Sequence, residues 1–127
     1  MSVVATMNYT VIGPLTRTSP LPTSPFYIPA PDFEGVSFLD VRPFGKMLVE
    51  VEADQPITVE LENSPTGLVG DAKALAGYMI DSAVFDTARR NTIAMDGADA
   101  AVGFIRLKIT TGATAPTFIK VWVEVKI

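Results

Sequence analysis

In FIKVWVEVKI, residues 118–127, the side chains at Ile119, Val121, Val123, Val125 and Ile127 are branched and apolar. The intervening positions hold Phe118, Lys120, Trp122, Glu124 and Lys126. A period of two with β-branched enrichment puts one face of an extended chain in a core and leaves the other outside. No helix can satisfy that spacing, so this segment commits the chain to a sheet. FIRLKIT (104–110) repeats the pattern with Ile105, Leu107 and Ile109 inward. KMLVEVE (46–52) does so with Met47, Val49 and Val51, and ITVELE (57–62) with Ile57, Val59 and Leu61.

Short polar connections separate these runs. ADQP, containing Asp54 and Pro56, predicts an antiparallel hairpin joining 46–52 to 57–62. TGATAP predicts a second hairpin joining 104–110 to 118–127. In that pairing Phe104, Arg106 and Lys108 share a sheet face with Trp122, an aromatic and basic surface suited to a subunit contact or to stacking on a sugar ring. The opposite expectation for Trp122 is burial beneath a loop or beneath the N-terminal segment. VSFLDV (36–41) reads as a strand ended by the RPFG loop. DAKALAGYMI (71–80) reads either as a short helix capped by Asp71 or, given Gly77, as a strand through GYMI. SAVFDTARRNTIAM (82–95) reads as a turn near Asp86–Asn91 followed by the strand TIAM. Many short strands with Gly, Pro and Asp turns predict an all-β fold, an antiparallel β-sandwich or jelly roll. No repeat of 20–50 residues suggests a solenoid.

The first quarter reads differently. Six of the chain's 10 prolines fall in IGPLTRTSPLPTSPFYIPAPDF, residues 12–33, where Arg17 is the one charge before Asp32. That density excludes a helix or a central strand. The division expected is an extended proline-rich arm over 1–35 and a sandwich over 36–127. Extended, prolyl-stiffened chain loses little entropy on docking. Leu21, Phe26, Tyr27 and Ile28 are its candidate contacts, either with its own sandwich or with a neighbour.

Composition bounds the chemistry. With 48% hydrophobic and 19% charged residues the 127-residue chain can fold as one domain. A net charge of -4 gives no general attraction to nucleic acid or to anionic membrane. Thirteen of the 14 acids lie between Asp32 and Asp99, whereas Arg106, Lys108, Lys120 and Lys126 make the last quarter mildly basic. With Cys 0 and His 0, disulfides, thiolate chemistry and the usual zinc sites are excluded, and no metal or cofactor is expected. The opening MSVVATMNYT lacks the basic and apolar regions of a secretory signal, and no stretch is long enough to span a membrane. No histidine base or Gly-x-Ser-x-Gly elbow supports a serine nucleophile. The carboxylate pairs Glu60/Glu62 and Asp96/Asp99 read as a solvated strand face and a turn. NSPTGLVGDAK lacks the Gly-Lys-Ser/Thr of a phosphate loop, and Arg89 and Arg90 read as salt-bridge partners. The expectation is a protein without catalytic activity.

Two stretches carry a resemblance. VRPFGKMLVEVEADQPITVELENSPTG and GFIRLKITTGATAPTFIKVWVEVKI resemble the strand-turn-strand and closing segments of the small β-sandwich proteins of tailed-bacteriophage virions, particularly capsid decoration (cement) proteins. The resemblance covers about residues 36–127, and the proline-rich arm resembles the extended termini with which such proteins clasp neighbours. It implies a homo-oligomer, a trimer or another closed assembly, formed in a host cytoplasm and bound on a capsid surface where major capsid protein or other virion subunits meet. Phe104 and Trp122 would add a sheet-face contact to those of the arm. The competing expectation is a carbohydrate-binding or adhesin-like module of a tail or fibre, with Trp122, Tyr78 and Tyr27 as stacking surfaces.

Overall fold

The computed structural model describes residues 9–42, 45–96 and 103–126. Among them the alternating segments form strands, and the apolar face of each turns inward. The strands are β1 (Tyr9–Thr18), β2 (Phe26–Ile28), β3 (Leu39–Asp40), β4 (Lys46–Ala53), β5 (Ile57–Ser64), β6 (Lys73–Ile80), β7 (Asn91–Asp96), β8 (Phe104–Thr111) and β9 (Phe118–Lys126). A 3₁₀ turn at Val69–Asp71 precedes β6. The fold is an all-β sandwich of two antiparallel sheets. One sheet has the order β1-β9-β4-β7. The other has the order β2-β8-β5-β6, and β3 lies end to end with β2 along β8.

The core fills the space between the sheets with the residues that the alternation points inward. Val49, Val51, Ile57, Val59, Leu61, Ile105, Ile109, Ile119 and Val123 are fully buried. Burial of this kind contributes about 25 cal/mol for each Å² of apolar surface removed from water, the main term opposing chain entropy.

The strand pairing differs from the sequence expectation in two places. β4 and β5 are not a hairpin: β4 pairs with β7 and β9, and β5 pairs with β6 and β8. β8 and β9 are likewise in opposite sheets. Asp54–Pro56 and Gly112–Thr117 are therefore arches that carry the chain across the core. Three extended residues reach about 10 Å, the spacing of packed sheets. The two arches are tied together. Asp54 accepts hydrogen bonds from the Thr117 backbone N–H (2.8 Å) and the Thr117 hydroxyl (2.5 Å). The bond from the Thr117 hydroxyl, chiefly, holds the Asp54 carboxyl below its ordinary range.

The middle segment is extended, without a helix. β6 runs through the whole of KALAGYMI, and its register against β5 breaks in a bulge between Ala74 and Met79. Gly77 sits in that bulge at φ +86°, a left-handed conformation that favours glycine and does not continue a helix. VSFLDV yields only the two-residue β3.

The proline-rich segment is woven into both sheets. β1 pairs with β9 and β2 pairs with β8, each on a sheet edge, where prolines remove no ladder bond to a second neighbour. The register of β1 shifts between Ile12 and Leu15, at Gly13 and Pro14. Gly13 is needed there: its φ is +117°, and a Cβ would stand 2.6 Å from the Val121 carbonyl oxygen. Arg17 reaches from β1 across the open side of the sandwich to Asp32 beyond β2 (3.1 Å). On the opposite side β6 and β7 approach each other closely, an approach β1 and β2 do not match.

Candidate docking surface

The outer face of the β2-β8-β5-β6 sheet is built by register. Glu62 on β5 stands opposite Arg106 on β8, and Tyr27 on β2 stands opposite Lys108. Arg106 Nε donates to Glu62 Oε1 at 2.9 Å. The Tyr27 ring lies 3.6 Å from the guanidinium carbon, and Phe38, from the segment after β2, lies 5.2 Å from it. Arg106 and Glu62 are each 8% exposed, so Glu62 is not part of the solvated face expected of it. This burial has a physical cause: Phe38 and Tyr27 lie over the Arg106 guanidinium and exclude water from the ion pair. Nothing in the period of ITVELE separates Glu62 from the half-buried Glu60. The burial depends on a ring that folds back from residue 38.

The outer face of the other sheet carries Trp122. It stands opposite Glu50 on β4 and is half-buried. Arg90, from the loop between β6 and β7, stacks over the indole at 4.0 Å and bridges to Glu50 and Glu52, each at 3.2 Å. Arg89 pairs with Asp86 at 3.0 Å, so both arginines of ARRN form salt bridges as expected. Phe104 does not share this face. β8 and β9 belong to opposite sheets, and Phe104 and Trp122 point away from each other across the sandwich.

Phe104 instead lies at one end of the sandwich, beneath the β5–β6 connection. The Arg42 guanidinium covers its ring at 4.6 Å, and a Cβ on Gly67 would stand 3.3 Å from it. Arg42 is held by Asp40 at 2.6 Å, and this bond keeps the Asp40 carboxyl below its ordinary range. The connection above is braced from within. The buried Ser64 hydroxyl donates to the Leu68 carbonyl (2.8 Å) and accepts from the Gly67 N–H (3.0 Å). The Thr66 hydroxyl donates to Asp71 (2.6 Å) and accepts from the Leu68 N–H (3.2 Å). This bracing presents two aliphatic side chains to solvent, Leu68 at 64% and Val69 at 57% exposure.

The arm's candidate contacts separate into core and surface. Phe26 and Ile28 are buried in the chain's own core, and Leu21 packs half-buried against it. Tyr27 faces outward on Arg106. Tyr78 packs partly buried against the core. The structure thus brings Tyr27 and Arg106 together and leaves Trp122, Phe104 and Leu21 in three separate places. The Asp96/Asp99 pair lies outside the described side chains. Among the described residues no group of three or more acids forms a metal cluster, and no helix is long and apolar enough to cross a membrane. No family, curated protein or solved structure was found to match the chain.

Proposed function

We propose that the chain is a structural protein of a phage virion, a capsid decoration protein that binds where subunits of the shell meet. The observation that carries this reading is the braced apolar tip. Exposed aliphatic side chains cost solubility, and a loop held by four internal side-chain hydrogen bonds loses little further entropy when it docks. Leu68 and Val69 would bury against the major capsid protein, with Phe104 as the packed base beneath them. The proline-rich strands support the same reading by tying the N-terminal segment to both sheets, which suits a part under mechanical load. The protein acts as a homo-oligomer, a trimer, and strengthens the shell by burying area across its joints.

The test is sedimentation with empty heads of the phage that encodes the chain, stripped of accessory proteins. Wild-type protein saturates the heads at a fixed stoichiometry and raises the temperature at which they open. The double variant Leu68→Asp, Val69→Asp keeps its fold, because both positions are exposed, and loses at least about tenfold in affinity. Wild-type protein that stays in the supernatant at all concentrations overturns the proposal. A monomeric mass by light scattering across the same range removes the trimer.

A further inference from the structure

The open side of the sandwich, between β1 and β2, holds a groove of about 400 Å³ lined by Arg17, Thr18, Pro20, Leu21, Pro22, Asp32 and Phe33. That volume is at the small end of ligand sites. Its walls are stiff. Prolines 20 and 22 fix the backbone on one side. On the other, a turn closed by hydrogen bonds from the Phe33 and Glu34 N–H groups to the Ala30 carbonyl (3.0 and 2.9 Å) presents Asp32 and Phe33. The Glu34 carboxylate braces this turn by accepting from the Ala30 N–H at 3.1 Å.

The chemistry of the lining is unusual for a mere closure of the sandwich. The Arg17 side chain is nine-tenths buried, yet its one hydrogen bond among the described residues runs from Nη2 to Asp32 Oδ2, and its buried Nε has no acceptor. Of its three nitrogens only Nε is both buried and unpaired, so the terminal guanidinium nitrogens are the donors left for a ligand in the groove. Asp32 is largely exposed, and its Oδ1 has no partner among the described residues. Phe33 lies 4.8 Å from the guanidinium carbon and is 53% exposed, so much of its ring faces solvent. Donors, carboxylate acceptor, hydroxyl and apolar ring therefore converge on one small space.

The paired charges select the ligand. Asp32 repels an anion and Arg17 repels a cation, whereas a neutral polyol can donate to the carboxylate and accept from the guanidinium together. A pyranose also has an apolar face of C–H groups that suits an aromatic ring. We propose that this groove binds a neutral pyranose, as a free sugar or as the terminal unit of a glycan. Its apolar face rests on Phe33 and its hydroxyls are shared among Asp32, Thr18 and Arg17. This site is separate from the Leu68–Val69 tip and does not depend on the shell-binding reading.

The experiment is an amide-resolved NMR titration of the full chain with methyl glucoside, galactoside and mannoside and with N-acetylglucosamine, with N-acetylneuraminate and inorganic phosphate as charged comparisons. At least one neutral pyranoside saturates the shifts of Thr18, Leu21, Asp32 and Phe33, with a dissociation constant of about 1 mM, as expected of a small open groove. Phe33→Ala weakens that binding about tenfold while resonances away from the groove stay in place, and Phe33→Tyr retains it. Absence of saturable shifts with every neutral pyranoside overturns the proposal. So does stronger binding of phosphate or N-acetylneuraminate, or a Phe33→Ala titration equal to wild type. The Leu68→Asp, Val69→Asp variant titrates with sugar as wild type does, so failure of sugar binding and failure of shell binding are read separately.

Discussion

The two outer faces of the sandwich use the same chemistry to opposite ends. On one, Arg106 pairs with Glu62 and stacks on Tyr27 beneath Phe38, with both charges nearly sealed from water. On the other, Arg90 pairs with Glu50 and Glu52 and stacks on Trp122, with the arginine exposed. What separates them is a covering segment. The chain that follows β2 folds over the first face and supplies Phe38, whereas on the second face, among the described residues, it is the loop carrying Arg90 that packs on Trp122. Similar contacts thus differ in worth, because a buried charge depends on its partner and an exposed one falls back on water.

Breaking the buried pair has the largest expected effect. Arg106→Ala leaves Glu62 buried without its partner and lowers unfolding free energy by about 3–5 kcal/mol in urea melts. Replacing both, Arg106→Met with Glu62→Leu, recovers most of that loss, which separates the cost of an orphaned charge from the worth of the pair. Next comes Phe38→Ala, at about 3 kcal/mol, because it removes a buried ring and lets water reach the guanidinium. In that variant stability falls further as salt is added, a dependence the covered pair of the wild type lacks. Arg90→Ala costs less than about 1 kcal/mol. Its clearest reading is Trp122 fluorescence, which shifts to the red as the indole gains water.

The smallest effect concerns the arches between the sheets. Asp54 is held below its ordinary value of 3.8, first by the Thr117 hydroxyl. A depressed carboxyl stabilises the fold above the unfolded value, and that stabilisation is lost as pH falls below about 3.8 through the folded value. Thr117→Val moves the Asp54 titration, followed by carboxyl NMR, back toward 3.8 and shrinks the acid-side loss. An Asp54 titration unchanged by Thr117→Val would mean that the backbone donors alone hold the carboxylate.

Much of this was legible in the chain. The inward faces of β4, β5, β8 and β9, the turn before β7, the exclusion of the proline-rich segment from any central strand and the salt bridges of Arg89 and Arg90 all follow from local pattern. Other features were not legible. Phe26 and Ile28 read equally as contacts with the chain's own sandwich or with a neighbour, and only the pairing of β2 with β8 puts them in this chain's own core. Glu62 read as solvated, and Phe38 over the sheet makes it buried. The groove at Arg17 has no signature in the sequence, because its lining is brought together by the end of β1 and a turn beyond β2.

By itself the sequence determined which side chains face inward along each strand, since alternation is a local property of extended chain. It also determined that prolines 14, 20, 22 and 25 lie at edges or in connections, since proline lacks the N–H a central strand must donate. Only the tertiary structure decided which strands are neighbours. A hairpin and an arch leave the same residues facing the core, so ADQP and TGATAP fit either. The choice lies in hydrogen bonds between strands far apart in sequence, β4 with β9 and β5 with β8, and those bonds also decide which of the two outer faces is covered.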